Sequence, residues 1–218
     1  MVLMKYGLVG FSGKMGKEII EVFSEYCHQL VAKFDRTHRE VQEKPDIILD
    51  FSSPEALKET VELSKKFLCP AVIGTTNLKE QDISMLNELS ALVPVVYSSN
   101  FSVGINVIKN ILESFKLEFS EWDIEIIEFH HRKKKDAPSG TALFLSESLG
   151  NVPIHSIRAG GIFGDHKILF ANEGEVIELS HRAMSRKIFA LGALKAAEFA
   201  ISTKASFYTF RDVLSKKR

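Results

Sequence analysis

The sequence predicts an α/β protein in two parts, a parallel-sheet domain and a smaller α+β domain with an open mixed sheet. Three observations carry that prediction. From Lys5 to Asn100, short β-branched runs alternate with longer amphipathic stretches, the pattern of strands joined by right-handed helical crossovers. Those runs are apolar almost throughout, as when both faces of a sheet are covered. Beyond Asn100, strand-like runs follow one another more closely, with glycine-containing turns such as "NEGE" between them.

"KYGLVG" is the first strand, and "KMGKEIIEVFSEY" the first helix, because Met15, Ile19, Ile20 and Phe23 recur on one helical face. "QLVAKFD" and "PDIILDFS" are the second and third strands, joined by the short segment "THREVQEKP". "PEALKETVELSKKFL" is a helix with Pro54 in its first turn, where a missing N–H costs nothing. "CPAVIGTT" and "VPVVYSS" are the fourth and fifth strands, with the helix "KEQDISMLNELSAL" between them. After Asn100 come the helical stretch "SVGINVIKNILESFKLEF", the alternating strand "WDIEIIEFHH" and the helix "SGTALFLSESLG", which ends at Gly150. "IHSIRAGG", "HKILFAN" and "VIELSHRA" are strands, and "FALGALKAAEFAIST" returns to helix with alanines at its packing positions.

Composition narrows the function. The 218 residues carry 28 Lys plus Arg against 28 Asp plus Glu, so the formal net charge is zero. A protein that binds nucleic acid through its bulk field needs a basic excess, so the expectation is no nucleic-acid partner. No run is apolar for the roughly 18 residues a membrane span requires. The apolar N-terminus "MVLMKYGLVGFSG" is broken by Lys5 and runs into a glycine loop, which fits a strand and not a signal peptide. A cytoplasmic, membrane-free protein is expected. Cys27 and Cys69, both in apolar surroundings, read as buried small hydrophobes, and no spacing of ligands suggests a metal.

"GFSGKMG" places Gly10, Gly13 and Gly16 between the first strand and first helix, with Ser12 where the usual fingerprint has its middle glycine. Backbone N–H groups and the helix dipole at such a turn hold a dinucleotide pyrophosphate, which makes the first domain Rossmann-like. Tight strand-to-helix turns also use glycine for steric reasons alone. Asp35 and Arg36 close the second strand about twenty residues on, where the fingerprint puts its ribose-binding acid. Asp35 would accept from a ribose diol and favour NADH; Arg36 and Lys14 would meet a 2′-phosphate and favour NADPH. A surface ion pair is the other reading of this pair. Gly74, Thr75 and Thr76 after the fourth strand, and Ser98, Ser99, Asn100 and Phe101 after the fifth, lie at strand carboxyl ends, where open α/β sheets bind ligands. Phe51, after the third strand, belongs to the same rim.

The second candidate site is "HHRKKKDAPSGTA". Strand alternation puts Trp122, Ile124, Ile126, Glu128 and His130 on one face, so His130 and His131 point opposite ways if the strand stays regular. Arg132, Lys133, Lys134 and Lys135 cannot all enter one pocket, so most are solvated and one is free to face inward. The loop then opens a helix, where backbone N–H groups and the hydroxyls of Ser139 and Thr141 suit a carboxylate. A proton-transfer group, a cation and an anion-binding helix start together suit a small dicarboxylate. Another two-lobed nicotinamide enzyme acting on a small carboxylate shares this outline. A thiol-dependent aldehyde enzyme would need a cysteine in the second lobe, and a redox sensor binding nucleic acid would need a basic surface; this chain has neither.

"GFSGKMG", "VIGTT", "SSNFSVGIN", "EIIEFHHRKKKDAPSGTA", "RAGGIFGDH" and the terminal "RDVL" together resemble the 4-hydroxy-tetrahydrodipicolinate (dihydrodipicolinate) reductase family over nearly the whole chain. The resemblance implies reduction of the cyclic intermediate of the diaminopimelate route to lysine with NADH or NADPH. It implies His130 as proton donor or acceptor and Lys134 as proton donor, with His131, Gly140 and Thr141 holding substrate carboxylates. It implies a cofactor site from Gly10, Phe11, Ser12, Gly13, Lys14, Met15, Asp35, Arg36, Gly74 to Thr76 and Ser98 to Phe101. Residues 1–100 with 186–218 would form the dinucleotide-binding domain, and 101–185 the domain for substrate binding and oligomerisation, commonly as a homotetramer. Hinges near Asn100 and Arg186 are expected. The segment "THREVQEKP" is shorter than the excursion common in the family, which leaves cofactor preference open.

Overall fold

The computed structural model describes residues 3–215; Met1 and Val2, the start of the apolar N-terminal run, lie outside the described residues. The chain divides into two compact units, one comprising residues up to Phe101 and those from Phe189 onward, the other Ser102–Ile188.

The first unit is built on a seven-stranded sheet. Its strands are β1 (Lys5–Val9), β2 (Gln29–Phe34), β3 (Arg39–Val41), β4 (Ile47–Asp50), β5 (Ala71–Ile73), β6 (Val95–Tyr97) and β11 (Phe207–Thr209), in the spatial order β11-β6-β5-β4-β1-β2-β3. All neighbours pair in parallel except β2 and β3. The crossovers are α1 (Lys14–Glu25), α2 (Leu57–Phe67) and α3 (Glu80–Ser90); α6 (Lys187–Ala200) and α7 (Phe210–Ser215) complete the helices of this unit. Alternation within the buried strands explains the two covered faces. Tyr6 and Leu8 pack with Ile19 and Phe23 of α1 and with Ala193, Ala196, Ala197 and Ala200 of α6, whose small side chains let that helix lie close. Val9, Phe34 and Ile48 face the other way, toward the α2 side and Cys69. Each large side chain so buried contributes about 1.5–3 kcal/mol.

The second unit has a four-stranded sheet in the order β10-β9-β7-β8, from β7 (Asp123–His130), β8 (Ile154–Arg158), β9 (Asp165–Ala171) and β10 (Val176–Arg182). It is mixed: β7 and β8 are parallel, whereas β7–β9 and β9–β10 are antiparallel. One face is covered by α4 (Val103–Ser114) and α5 (Gly140–Leu149), whose Ile105, Leu112, Ala142, Leu145 and Leu149 pack on Ile126, Ile168 and Phe170. The opposite face carries Ile127, Phe129, Leu169 and the exposed Ile157 and Val176.

Three features differ from the sequence reading. "THREVQEKP" is not a plain connection: it contains β3, which runs back along β2 in a hairpin, so the expected third strand is the fourth. β11 and α7 add a further strand and helix after α6. Cys27 is exposed, in a left-handed turn after α1 (φ 64°), and only Cys69 is buried, with its thiol pushed up to about 12 by burial.

Candidate active site

In the first unit the strand carboxyl ends form a continuous rim. The backbone ladder extends past the strands: Gly10 N–H donates to Phe34 O (2.8 Å), Phe51 N–H to Val9 O (3.2 Å), Gly74 N–H to Asp50 O (2.8 Å) and Ser98 N–H to Ile73 O (3.2 Å). A cavity of about 750 Å³ opens at this rim. Gly10, Ser12, Gly13, Lys14, Met15, Asp35 and Arg36 line it, together with Phe51, Arg39 and Glu59.

The glycine loop fits a pyrophosphate. Gly10 has φ +84°, and a Cβ there would lie 2.9 Å from Ser52 Cβ and 3.0 Å from Phe51 O. A Cβ on Gly16 would run into the carbonyls of Gly10 and Phe11, so α1 can approach the strand end only without one. Gly13 caps α1 with no side-chain hydrogen bond, which leaves the helix N-terminus to an anion. The size of the cavity, the bare helix start and the glycine cradle suit the phosphate and adenosine parts of a nicotinamide dinucleotide.

Asp35 begins the hairpin turn. Its Oδ1 accepts from the N–H groups of Thr37 (2.9 Å) and His38 (2.8 Å) and from the Thr37 hydroxyl (3.2 Å). The Thr37 amide foremost, then the Ser12 hydroxyl, hold the Asp35 carboxyl down at about 2. Phe11 does not line the cavity; its ring packs against the core and meets His38 edge-on at 5.6 Å. Gly74, Thr75, Thr76 and Ser98 to Phe101 also lie outside the cavity lining, along the rim. Phe101 is buried between Phe51 and Phe210, and the Ser98 hydroxyl donates to Asn100 O (2.8 Å), so these side chains shape the rim from within. Thr75 donates to Asp50, a fully buried carboxylate not singled out in the sequence. Asp50 also accepts from Thr60, from the Ser52 hydroxyl and from the Ser52 amide, tying α2 and the loops after β4 and β5 to one point.

In the second unit, the buried face of β7 delivers Glu128 and His130 side by side, two residues apart. Glu128 is fully buried and gathers five donors: both Nη atoms of Arg158 (2.9 and 2.7 Å), the Ser156 hydroxyl (2.6 Å), the Ser139 amide (3.2 Å) and His130 Nδ1. The parallel register pairs Glu128 with Ser156 and His130 with Arg158, which places these donors on the same face. Burial alone would raise the Glu128 carboxyl, but Arg158, Ser156 and His130 overcome it and hold the group at about 2. An ionised Glu128 fixes the His130 proton on Nδ1 in the neutral ring and leaves Nε2 as the unprotonated nitrogen. Burial lowers the His130 pKa from its ordinary value, with Lys134 and Arg158 adding to the effect while Glu128 opposes it. Gly164 admits the ring: a Cβ there would stand 2.9 Å from His130 Nε2.

Ser139 is a buried N-cap for α5; its Oγ accepts from Ala142 N–H (3.2 Å), so its one proton is free for His166 Nε2 at 3.2 Å. His166 is buried and held neutral, with a pKa of about 3 set chiefly by burial and then by the nearby His130. Gly140 and Thr141 form the first turn of the helix beyond this cap. Lys134 is partly buried and pairs with Asp136 (2.8 Å), while Arg132, Lys133 and Lys135 are exposed. His131 follows the end of β7 and is half-buried. Glu128, Arg158, His166 and Gly164 surround His130 and Ser139, and the sequence reading gave them no role. The available signal was Glu128 itself, a charge on the same strand face as Ile124 and Ile126.

Among the described residues, no cluster of His, Cys, Asp and Glu is arranged to hold a metal ion, and no helix is long and apolar enough to cross a membrane. A Rossmann-like sheet with a glycine cradle, joined to a unit bearing a buried Glu–His pair, defines a nicotinamide-dependent oxidoreductase. Residues 4–101 match the family model for the dihydrodipicolinate reductase N-terminus, and residues 104–214 that for the C-terminus. The 4-hydroxy-tetrahydrodipicolinate reductase of Thermosipho africanus is 50% identical over 214 residues, covering 98% of this chain and 99% of that protein. That of Zymomonas mobilis is 38% identical over 246 residues, with 97% of each chain covered; the span exceeds this chain, so that relative carries insertions. The solved structure of a dipicolinate-bound dihydrodipicolinate reductase from Paenisporosarcina has the same fold, with a TM-score of 0.79 at 23% identity, covering 95% of this chain and 98% of that one. This chain belongs to the dihydrodipicolinate reductase family. It is an NAD(P)H-dependent oxidoreductase.

Proposed function

We propose that His130 and Lys134 carry the proton chemistry by which this protein reduces 4-hydroxy-tetrahydrodipicolinate to tetrahydrodipicolinate in the diaminopimelate route of lysine biosynthesis. Homology over both domains supports the reaction. The observation that carries the residue assignment is the buried Glu128–His130 pair beside the start of α5. When bound, the reduced nicotinamide supplies the hydride. The chain supplies the proton that balances it, and the substrate's 4-hydroxyl leaves as water: Nε2 of His130 donates or accepts, and the Lys134 ammonium donates. Lys134 also offsets the negative charge that develops in the ring. His131 with the backbone of Gly140 and Thr141 binds the substrate carboxylates at the helix N-terminus, and Ser139 serves them by capping that helix. A dicarboxylate substrate agrees with the dipicolinate carried by the structural relative.

The cofactor assignment extends from the cavity-lining residues Gly10 to Met15, Asp35 and Arg36 along the rim through Gly74 to Thr76 and Ser98 to Phe101. The first unit is thus the dinucleotide-binding domain, and the second binds substrate. The outer face of the second unit's sheet, with Phe129, Ile157 and Val176 among ion pairs such as Lys167–Glu178, is the surface through which we assign a homotetramer. The enzyme works in the cytoplasm, where nicotinamide cofactors are reduced.

The test couples freshly prepared substrate to oxidation of NADH and NADPH. Wild-type protein turns over; His130→Gln and Lys134→Ala each lose about 10²–10⁴-fold in kcat while cofactor affinity holds. Wild-type turnover in both variants removes these residues from the mechanism.

A further inference from the structure

The β2–β3 hairpin borders the cavity at the end assigned to the adenosine part of the cofactor. The pairing Phe34↔Arg39 sets Arg39 beside the end of β2, where the turn from Asp35 to His38 begins. Asp35 spends its Oδ1 on the turn's own amides and hydroxyl and is tied to Ser12. Arg39, by contrast, presents a fork into the cavity, and that fork is taken by a carboxylate: Nε lies 2.6 Å from Glu59 Oε1 and Nη2 3.3 Å from Oε2. Lys14, Arg36 and Arg39 face Asp35, Glu55 and Glu59 across the same cavity, so cations and anions balance there.

We propose that Arg39 is a ligand for the 2′-phosphate of NADP(H), and that Glu59 sets cofactor preference by competing with that phosphate for the guanidinium. The inference rests on the assignment of this cavity to the adenosine part of the cofactor. A guanidinium fork meets a phosphate with the same two-point geometry it offers a carboxylate, so one can replace the other. NADH has no 2′-phosphate and leaves the Arg39–Glu59 pair intact. NADPH must break it and then tolerate the released carboxylate. Glu59 thereby holds back a preference for NADPH that the three cations would otherwise create.

The test uses the full chain and two probes, adenosine 2′,5′-bisphosphate and adenosine 5′-monophosphate, with affinities read by calorimetry. Arg39→Ala should weaken the bisphosphate relative to the monophosphate by about tenfold or more, the scale of one charge-assisted contact. Arg39→Lys, which keeps the charge and loses the fork, should fall between. Glu59→Gln should strengthen the bisphosphate several-fold and shift the KM ratio toward NADPH. Lys33→Ala, a change in β2 outside the cavity, should leave the ratio alone. An unchanged ratio in Arg39→Ala, or a weaker bisphosphate in Glu59→Gln, overturns the proposal while leaving the cofactor site in place. Failure of the wild type to bind either probe overturns the site assignment and this inference together.

Discussion

Replacing Glu128 by Gln separates holding His130 in place from holding the domain together. Glu128 is fully buried and receives five donors, among them two from the Arg158 guanidinium. Glutamine is nearly isosteric, but its amide cannot accept at both ends and carries no charge. Two losses follow. Arg158, whose side chain is partly buried, loses its charge-assisted partner, which costs on the order of 1–3 kcal/mol of stability. His130 loses the anion that fixes its proton on Nδ1, and a misassigned tautomer at an acid–base histidine costs roughly 10²–10⁴ in kcat. The double variant Glu128→Gln/Arg158→Met removes both charges, so it should recover much of the stability and none of the rate. Urea denaturation reads the first quantity and stopped-flow turnover the second. If the double variant regains kcat along with stability, Glu128 merely fills the fold and the positioning argument is wrong.

Asp50 and His166 yield two further expectations. Asp50→Asn preserves the shape of the hub that joins Ser52, Thr60 and Thr75, whereas Asp50→Ala removes the acceptor that their hydroxyls share. The alanine variant should raise the KM for both cofactors about tenfold or more and the asparagine variant far less, since removing a buried hydrogen-bond partner costs about 1–3 kcal/mol; equal KM values in the two would refute a positioning role. His166 is neutral in the fold, with a pKa of about 3 against 6.5 for an ordinary histidine, so between those pH values the unfolded chain binds the extra proton. Stability then rises with pH across that window, at about 1.4 kcal/mol per pH unit, and is lost on acidification. His166→Gln should flatten the slope measured by denaturation between pH 4.5 and 6.5, and an unaltered slope would show that another group carries it.

Much of this was legible in the sequence because the signals were local. Periodicity located both sheets, and the glycine spacing with Asp35 and Arg36 located a cavity that does bring those residues together. That one member of the basic run faces inward followed from the impossibility of burying four charges in one place; that it is Lys134 came from the family resemblance, and Lys134 is the partly buried member. What escaped depended on distant partners. Arg158 joins Glu128 only through the parallel register of β7 and β8, which no local pattern announces. β3 is three residues long, too short for an alternation to be read, and its effect lies in carrying Arg39 to Glu59. The rim residues Thr75, Ser98 and Phe101 were readable as a place, but the inward direction of their side chains was set by Asp50, by the Asn100 carbonyl and by an aromatic cluster.

The loop that carries Lys134 is fastened at two points by the same pair of residues: Glu128 accepts the Ser139 amide, and the Arg158 that binds Glu128 also donates to the Asp136 carbonyl (2.7 Å). The basic run is thus a bracketed cassette, with its shape fixed from beneath and its outward side chains idle. Arg132, Lys133 and Lys135 are exposed positions where an engineer can place a label or a tether without touching the clasp beneath them.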